Sequence, residues 1–94
     1  MEEFTINLNN VSTYDEFYQA IIRGLNFPDW CGDNPDAIWD LLTGYMEYPA
    51  QISVVGCGNL PKDLFDEFKL IKETFSEAEN RFKKLDIKVE FKYL

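Results

Sequence analysis

Four aspartates, Asp29, Asp33, Asp36 and Asp40, fall close together, and no lysine or arginine occurs anywhere from Gly24 to Pro61. Carboxylates grouped this way can do three kinds of chemistry. They can hold Mg²⁺ or Ca²⁺ through oxygen, act as a general acid and base across a cleft, or pair with the cations of another molecule. Their spacing does not match the D-x-D-x-D-G calcium loop. An acid–base pair needs a substrate cleft that raises one pKa, and nothing in the sequence marks one. Histidine is absent altogether. Its absence removes the commonest general base, the commonest zinc ligand and the Ser-His and Cys-His nucleophile pairs. Cys31 and Cys57 show no CxxC or Cys/His spacing and read as free thiols. "VVGCGNLP" (54–61) places G-x-G after a strand but lacks the third glycine of a dinucleotide fingerprint, and Pro61 there reads as a helix start. The expectation is a protein without cofactor, metal or enzymatic activity of its own.

The elements that must carry these acids follow from periodicity. Phe4-Thr5-Ile6-Asn7-Leu8 alternates apolar and polar residues, a strand of period two. Ser12 or Thr13 can cap a helix, with Glu16 completing a capping box after Thr13. Phe17, Ala20, Ile21 and Leu25 then give its apolar stripe. "NFPDWCGD" (26–33) is a loop. The next helix has Asp33 or Asn34 at its N-cap, Pro35 at its first position and Gly44 as its stop. "QISVV" (51–55) reads as a short buried strand. Leu64, Phe68, Ile71, Phe75, Ala78, Phe82 and Leu85 recur at spacings of four and three, as one long helix or as two broken near residue 70. Ile87, Val89, Phe91 and Tyr93 close the chain as a strand over 87–93. The implied fold class is α/β in the order β-α-α-β-α-α-β, a three-stranded parallel sheet packed with helices, one sheet face partly open. Residues 1–94 show no linker, repeat or low-complexity segment and are expected to form one domain.

On the second helix, Ile38, Leu41, Leu42 and Tyr45 project to one side, and Tyr45 is expected in the core. Asp36 and Asp40 share the opposite face, with Trp39 on its flank. Asp33 and Asp36 occupy the first turn, where the helix dipole stabilises an anion. Asp40 lies beyond it, four residues from a like charge, which costs a few tenths of a kcal/mol. Trp30, Trp39, Tyr45 and Tyr48 surround the acids, and tryptophan and tyrosine are the residues most enriched among binding hot spots.

Net charge sharpens the same point. The chain carries −8, and residues 1–61 hold Glu2, Glu3, Asp15, Glu16, Asp29, Asp33, Asp36, Asp40 and Glu47 against Arg23 alone. From residue 62 onward, acids and bases balance. Such a field repels nucleic acid and attracts a basic partner. The start, MEEFTINL, lacks the features of a signal peptide, and no apolar stretch is long enough to span a bilayer. The expected compartment is the cytoplasm.

"LNFPDWCGDNPDAIWDLLTGYMEYP", Leu25 to Pro49, resembles the barstar family of intracellular ribonuclease inhibitors. The shared pattern is a Pro-acid-aromatic loop, then G-[DE]-N-x-D-A-[LI]-W-D, then LTG-aromatic-x-EYP. The family's fold has the same element order, and "FSEA" (75–78) puts Glu77 where the family carries an acid on its last helix. The resemblance implies an inhibitor that plugs the active site of a small basic ribonuclease in a one-to-one complex, without contacting nucleic acid or membrane. It implies that Asp40 occupies the enzyme's phosphate pocket and that Asp36 and Glu77 meet further basic groups. Trp30, Gly32, Asn34, Trp39, Thr43, Gly44, Tyr45 and Glu47 match other contact positions. Two rival readings remain open on the residues alone: an acidic interaction or immunity module for another basic partner, and a carboxylate-cluster metal-binding protein.

Overall fold

A computed structural model describes residues 1–94. The chain runs β1 (Glu2–Asn7), α1 (Tyr14–Gly24), α2 (Pro35–Gly44), β2 (Ala50–Val55), two short 3-10 turns (Cys57–Asn59 and Lys62–Leu64), α3 (Phe65–Lys84) and β3 (Val89–Tyr93). The three strands form one parallel sheet in the order β1-β2-β3. It is the α/β architecture that the periodicities predict.

Register divides the sheet into two faces. Phe4 pairs with Ile52 and Ile52 with Phe91, while Thr5, Ser53 and Lys92 align on the other side. Ala50, Ile52 and Val54 of the central strand are buried, whereas Gln51, Ser53 and Val55 are half-buried. β2, read from its sequence as a buried strand, is therefore fully covered on one face and partly covered on the other, the partly open face that the sheet's alternation predicts. Strand ends differ from the alternation for a hydrogen-bonding reason. Glu2 and Glu3 already pair with Ala50 and Gln51. The Ile87 N–H turns back to the Phe82 carbonyl at 2.9 Å and closes α3 instead of opening β3.

The capping box of α1 is complete at Thr13. Its hydroxyl accepts from the Glu16 N–H at 3.1 Å, and the Glu16 carboxylate accepts from the Thr13 N–H at 3.1 Å. Ser12 adds its own N–H and hydroxyl to that carboxylate. These donors, Ser12 foremost, hold Glu16 below the ordinary carboxylate range. At the far end of α1, a Cβ on Gly24 would stand 2.6 Å from the Thr5 carbonyl oxygen and 2.8 Å from the Ile6 Cα. Only glycine lets α1 approach β1 this closely.

Between β2 and β3 the chain forms one 20-residue helix rather than the two of the expected order. Phe65 to Lys84 contains no glycine or proline to interrupt it, and Ile71, Phe75, Ala78 and Phe82 stay on one buried stripe throughout. Phe75 stacks on Phe91 of β3 at 4.3 Å between centroids. Tyr18, buried in α1, donates its hydroxyl to the Glu67 carboxylate and ties α1 to α3. All 23 buried residues are apolar or aromatic and none is charged, so every carboxylate of the chain meets solvent at least in part. No helix is long and apolar enough to cross a membrane.

Candidate functional site

The site begins with how α2 is held. Asn34, extended at φ −156°, caps the helix by accepting from the Ala37 N–H at 2.8 Å, and Pro35 follows as the first helical residue. Asn34 rather than Asp33 is thus the cap. Its amide oxygen is already engaged, which leaves its NH₂ for other contacts. Ile38, Leu41 and Leu42 are buried, and this fixes the helix's rotation. Asp36 and Asp40 consequently face solvent, with Trp39 and Thr43 half-buried at the margin. The polar side chains of the helix that bond internally are Asn34 and Thr43. Thr43 donates to the carbonyl of Trp39 at 2.8 Å, and neither bond involves an aspartate side chain. Asp40 is outside the first turn and outside any capping arrangement.

The preceding loop is pinned from beneath and presents a tryptophan on top. Phe27 and Cys31 are buried, the Cys31 N–H bonds to the Pro28 carbonyl at 3.0 Å, and the Tyr14 hydroxyl bonds to the Asp33 carbonyl at 2.9 Å. Trp30 stands 73% exposed between these anchors. Burial and the charge of Asp33 push the Cys31 thiol up, so it stays protonated; both cysteines are free.

Tyr45 departs from the helical projection. It follows the last helical residue as the C-cap, so extrapolating 100° per residue no longer applies. Its ring is 53% exposed, resting edge-on against Phe27 at 6.1 Å. The expected core position is corrected to a surface one. Glu47 is exposed nearby, and Glu2, Tyr45, Met46 and Glu47 line one shallow groove. Gly44, at the end of α2, has no atom within 4 Å of where a Cβ would sit, and its φ is not positive. Nothing inside the chain requires glycine there. Gly32, by contrast, is crowded by Ala37 and Asn34 at 3.1 and 3.2 Å.

α3 brings Glu77 to the same side of the molecule. Glu77 is exposed and shares a groove with Trp39 of α2, together with Asn80, Arg81, Lys84 and Leu85. The folded chain thus brings together Trp39 of α2 and Glu77 of α3, while Tyr45 and Glu47 line a separate groove. Arg81 and Lys84 went unmarked in the sequence, whereas Leu85, read there as the end of the apolar stripe, is corrected to a surface position, 59% exposed, because the helix stops at Lys84. The only signal of the two cations is their helical offset of four and seven from Glu77. No three histidine, cysteine, aspartate or glutamate side chains lie close enough to hold a metal ion.

An α/β fold of this topology, with an acidic helix and a pinned aromatic loop on one side, defines a class. The chain belongs to the barstar family: the family model described as "Barstar (barnase inhibitor)" matches residues 1–93. It is similar to the Bacillus subtilis (strain 168) protein named "Putative ribonuclease inhibitor YrdF", with 33% identity over 90 residues, covering 88% of this chain and 96% of the relative.

Proposed function

We propose that this chain inhibits a small basic ribonuclease by seating α2 and the loop before it on the enzyme's active site, one chain to one enzyme. Asp40 stands where a substrate phosphate would. The observation that carries the reading is Asp40 itself, exposed, beyond the first turn and one turn from a like charge. Its carboxylate is stabilised by nothing local and is matched by the arginines and lysines that hold RNA phosphate, through charge-assisted and often bidentate hydrogen bonds. Family membership and the name of the relative support the same function.

Asp36 and Glu77 extend the acidic surface on either side of Trp39. Trp30 and Tyr45 supply aromatic area at its edges. Gly44 lets the partner's surface come close to the end of α2. The chain contributes no general base of its own, and its effect on RNA cleavage is to exclude substrate. An inhibitor guarding a cell against such an enzyme acts in the cytoplasm, where the free thiols of Cys31 and Cys57 remain reduced.

The test is a titration of the chain into barnase and into the small basic ribonucleases secreted by its source, read as RNA cleavage. Cleavage by at least one enzyme is expected to fall to zero near equimolar inhibitor and to persist when Asp40→Ala is used instead. If the folded chain inhibits none of them, or if Asp40→Ala inhibits equally well, the proposal fails.

A further inference from the structure

An open groove of about 530 Å³ runs between α2 and the C-terminal half of α3. Trp39 forms one wall, and Leu85, 59% exposed, forms the other. Along the α3 side the charge changes sign. Glu77 stands at one end, Arg81 lies about 6 Å further along the helix and Lys84 about 10 Å further. The helix dipole accounts for cations in the last turn. It does not account for their flanking an exposed leucine and a tryptophan beside the helix that carries Asp36 and Asp40.

We infer that this groove receives a carboxylate-bearing side chain with an apolar stem from the partner ribonuclease, its stem against Trp39 and Leu85 and its charge between Arg81 and Lys84. The inference rests on the inhibitor reading and specifies the partner further. Beside the cations that meet Asp36, Asp40 and Glu77, the cognate enzyme carries an acid. An otherwise similar basic ribonuclease with a lysine at that place would set like charges together and be rejected, so Arg81 and Lys84 determine specificity.

The groove is tested on the free chain first. 3-Phenylpropionate and its cationic counterpart 3-phenylpropylamine are titrated into isotope-labelled chain at low ionic strength, following the Trp39 indole N–H and the Arg81 side-chain N–H by NMR. The acid is expected to shift both signals saturably and to bind at least about threefold more tightly than the amine. Arg81→Gln combined with Lys84→Gln should abolish that preference, and Glu77→Gln should enlarge it. These residues are exposed, so none of the substitutions touches the core. An amine that binds as well as the acid, or a preference that survives the double substitution, overturns the proposal. With a ribonuclease that the chain inhibits, the double substitution should weaken inhibition about tenfold or more, and unchanged inhibition overturns it equally. Should the wild-type chain inhibit no ribonuclease, the inhibitor reading and the proposed source of the carboxylate both fail, while the acid preference of the free chain is still decided by the titration.

Discussion

Asp40 and Gly44 are two residues of α2 whose identity the free chain does not explain. Asp40 sits four residues from Asp36 and gains no capping or dipole stabilisation. Gly44 ends a helix where alanine would fit without a contact. Replacing Asp40 with alanine is expected to weaken inhibition by more than about 2 kcal/mol, the general threshold of a hot spot, since it leaves the enzyme's cations desolvated and unpaired; the barnase–barstar complex is itself a reference case for such charge-pair energies. The unfolding free energy of the free chain should stay the same or rise by a few tenths of a kcal/mol. Inhibition constants and urea unfolding measured side by side decide this. A destabilised variant with an unchanged dissociation rate would make Asp40 structural. Gly44→Ala should do the reverse of most substitutions. It is expected to stabilise the free chain by about 0.5–1 kcal/mol, because alanine loses less backbone entropy in a helix, and to weaken the complex by crowding the partner's approach. The same pair of measurements reads both effects.

Among the elements, α3 and β3 carry a pH-dependent strain remote from α2. Glu79, half-buried on α3, is pushed above the ordinary carboxylate range by burial first and by the charge of Glu90 second, against a bond from the Phe91 backbone. A carboxyl with a raised pKa holds its proton more tightly in the folded state than in the unfolded one. Its contribution to stability is therefore present below the unfolded value and is lost as pH rises through the folded one. Glu79→Gln keeps the shape, removes the charge and should raise the urea midpoint at neutral pH. The gain should vanish below about pH 4, where the glutamate is itself protonated. Equal midpoints at neutral pH would show that solvent already relieves the repulsion. Glu16 runs the other way: its depressed pKa makes the capping box of α1 a source of stability that is lost on acidification. The two elements thus pull the pH profile in opposite directions.

At the scale of the whole molecule, the net charge of −8 belongs to residues 1–61, with residues 62–94 balanced. An acidic field of this kind speeds encounter with a basic enzyme more than it tightens the final complex. Glu3 provides the test, since it projects from the open sheet face beside Gln51, whereas Glu2 shares the groove of Tyr45 and Glu47. Glu3→Ala is expected to slow association modestly at low ionic strength, with the difference gone at high salt and the dissociation rate untouched. Stopped-flow association at two salt concentrations reads it directly. A changed dissociation rate would place Glu3 in the interface.

The sequence by itself determined most of the elements, though not all their ends, and most of the acidic surface. Thr13 with Glu16, and Asn34 with Pro35, are local signals, because a cap is completed within a few residues. The inward rotation of α2 followed from Ile38, Leu41 and Leu42 for the same reason, since a helix's apolar stripe is written in its own spacing. The family resemblance of Leu25 to Pro49 is also local, and so it was legible. What only the tertiary structure decided depends on residues distant in the chain. Tyr45 lies outside the core because the chain leaves the helix at that residue and Phe27, eighteen positions earlier, takes its ring edge-on. Gly24 is required because β1 passes within 2.6 Å of where its side chain would start. The meeting of Trp39 with Glu77, Arg81 and Lys84 depends on the packing of α2 against α3. Periodicity gives each helix its buried side but not the neighbour that its margin will touch, because that is set by how separate apolar stripes pack into one core.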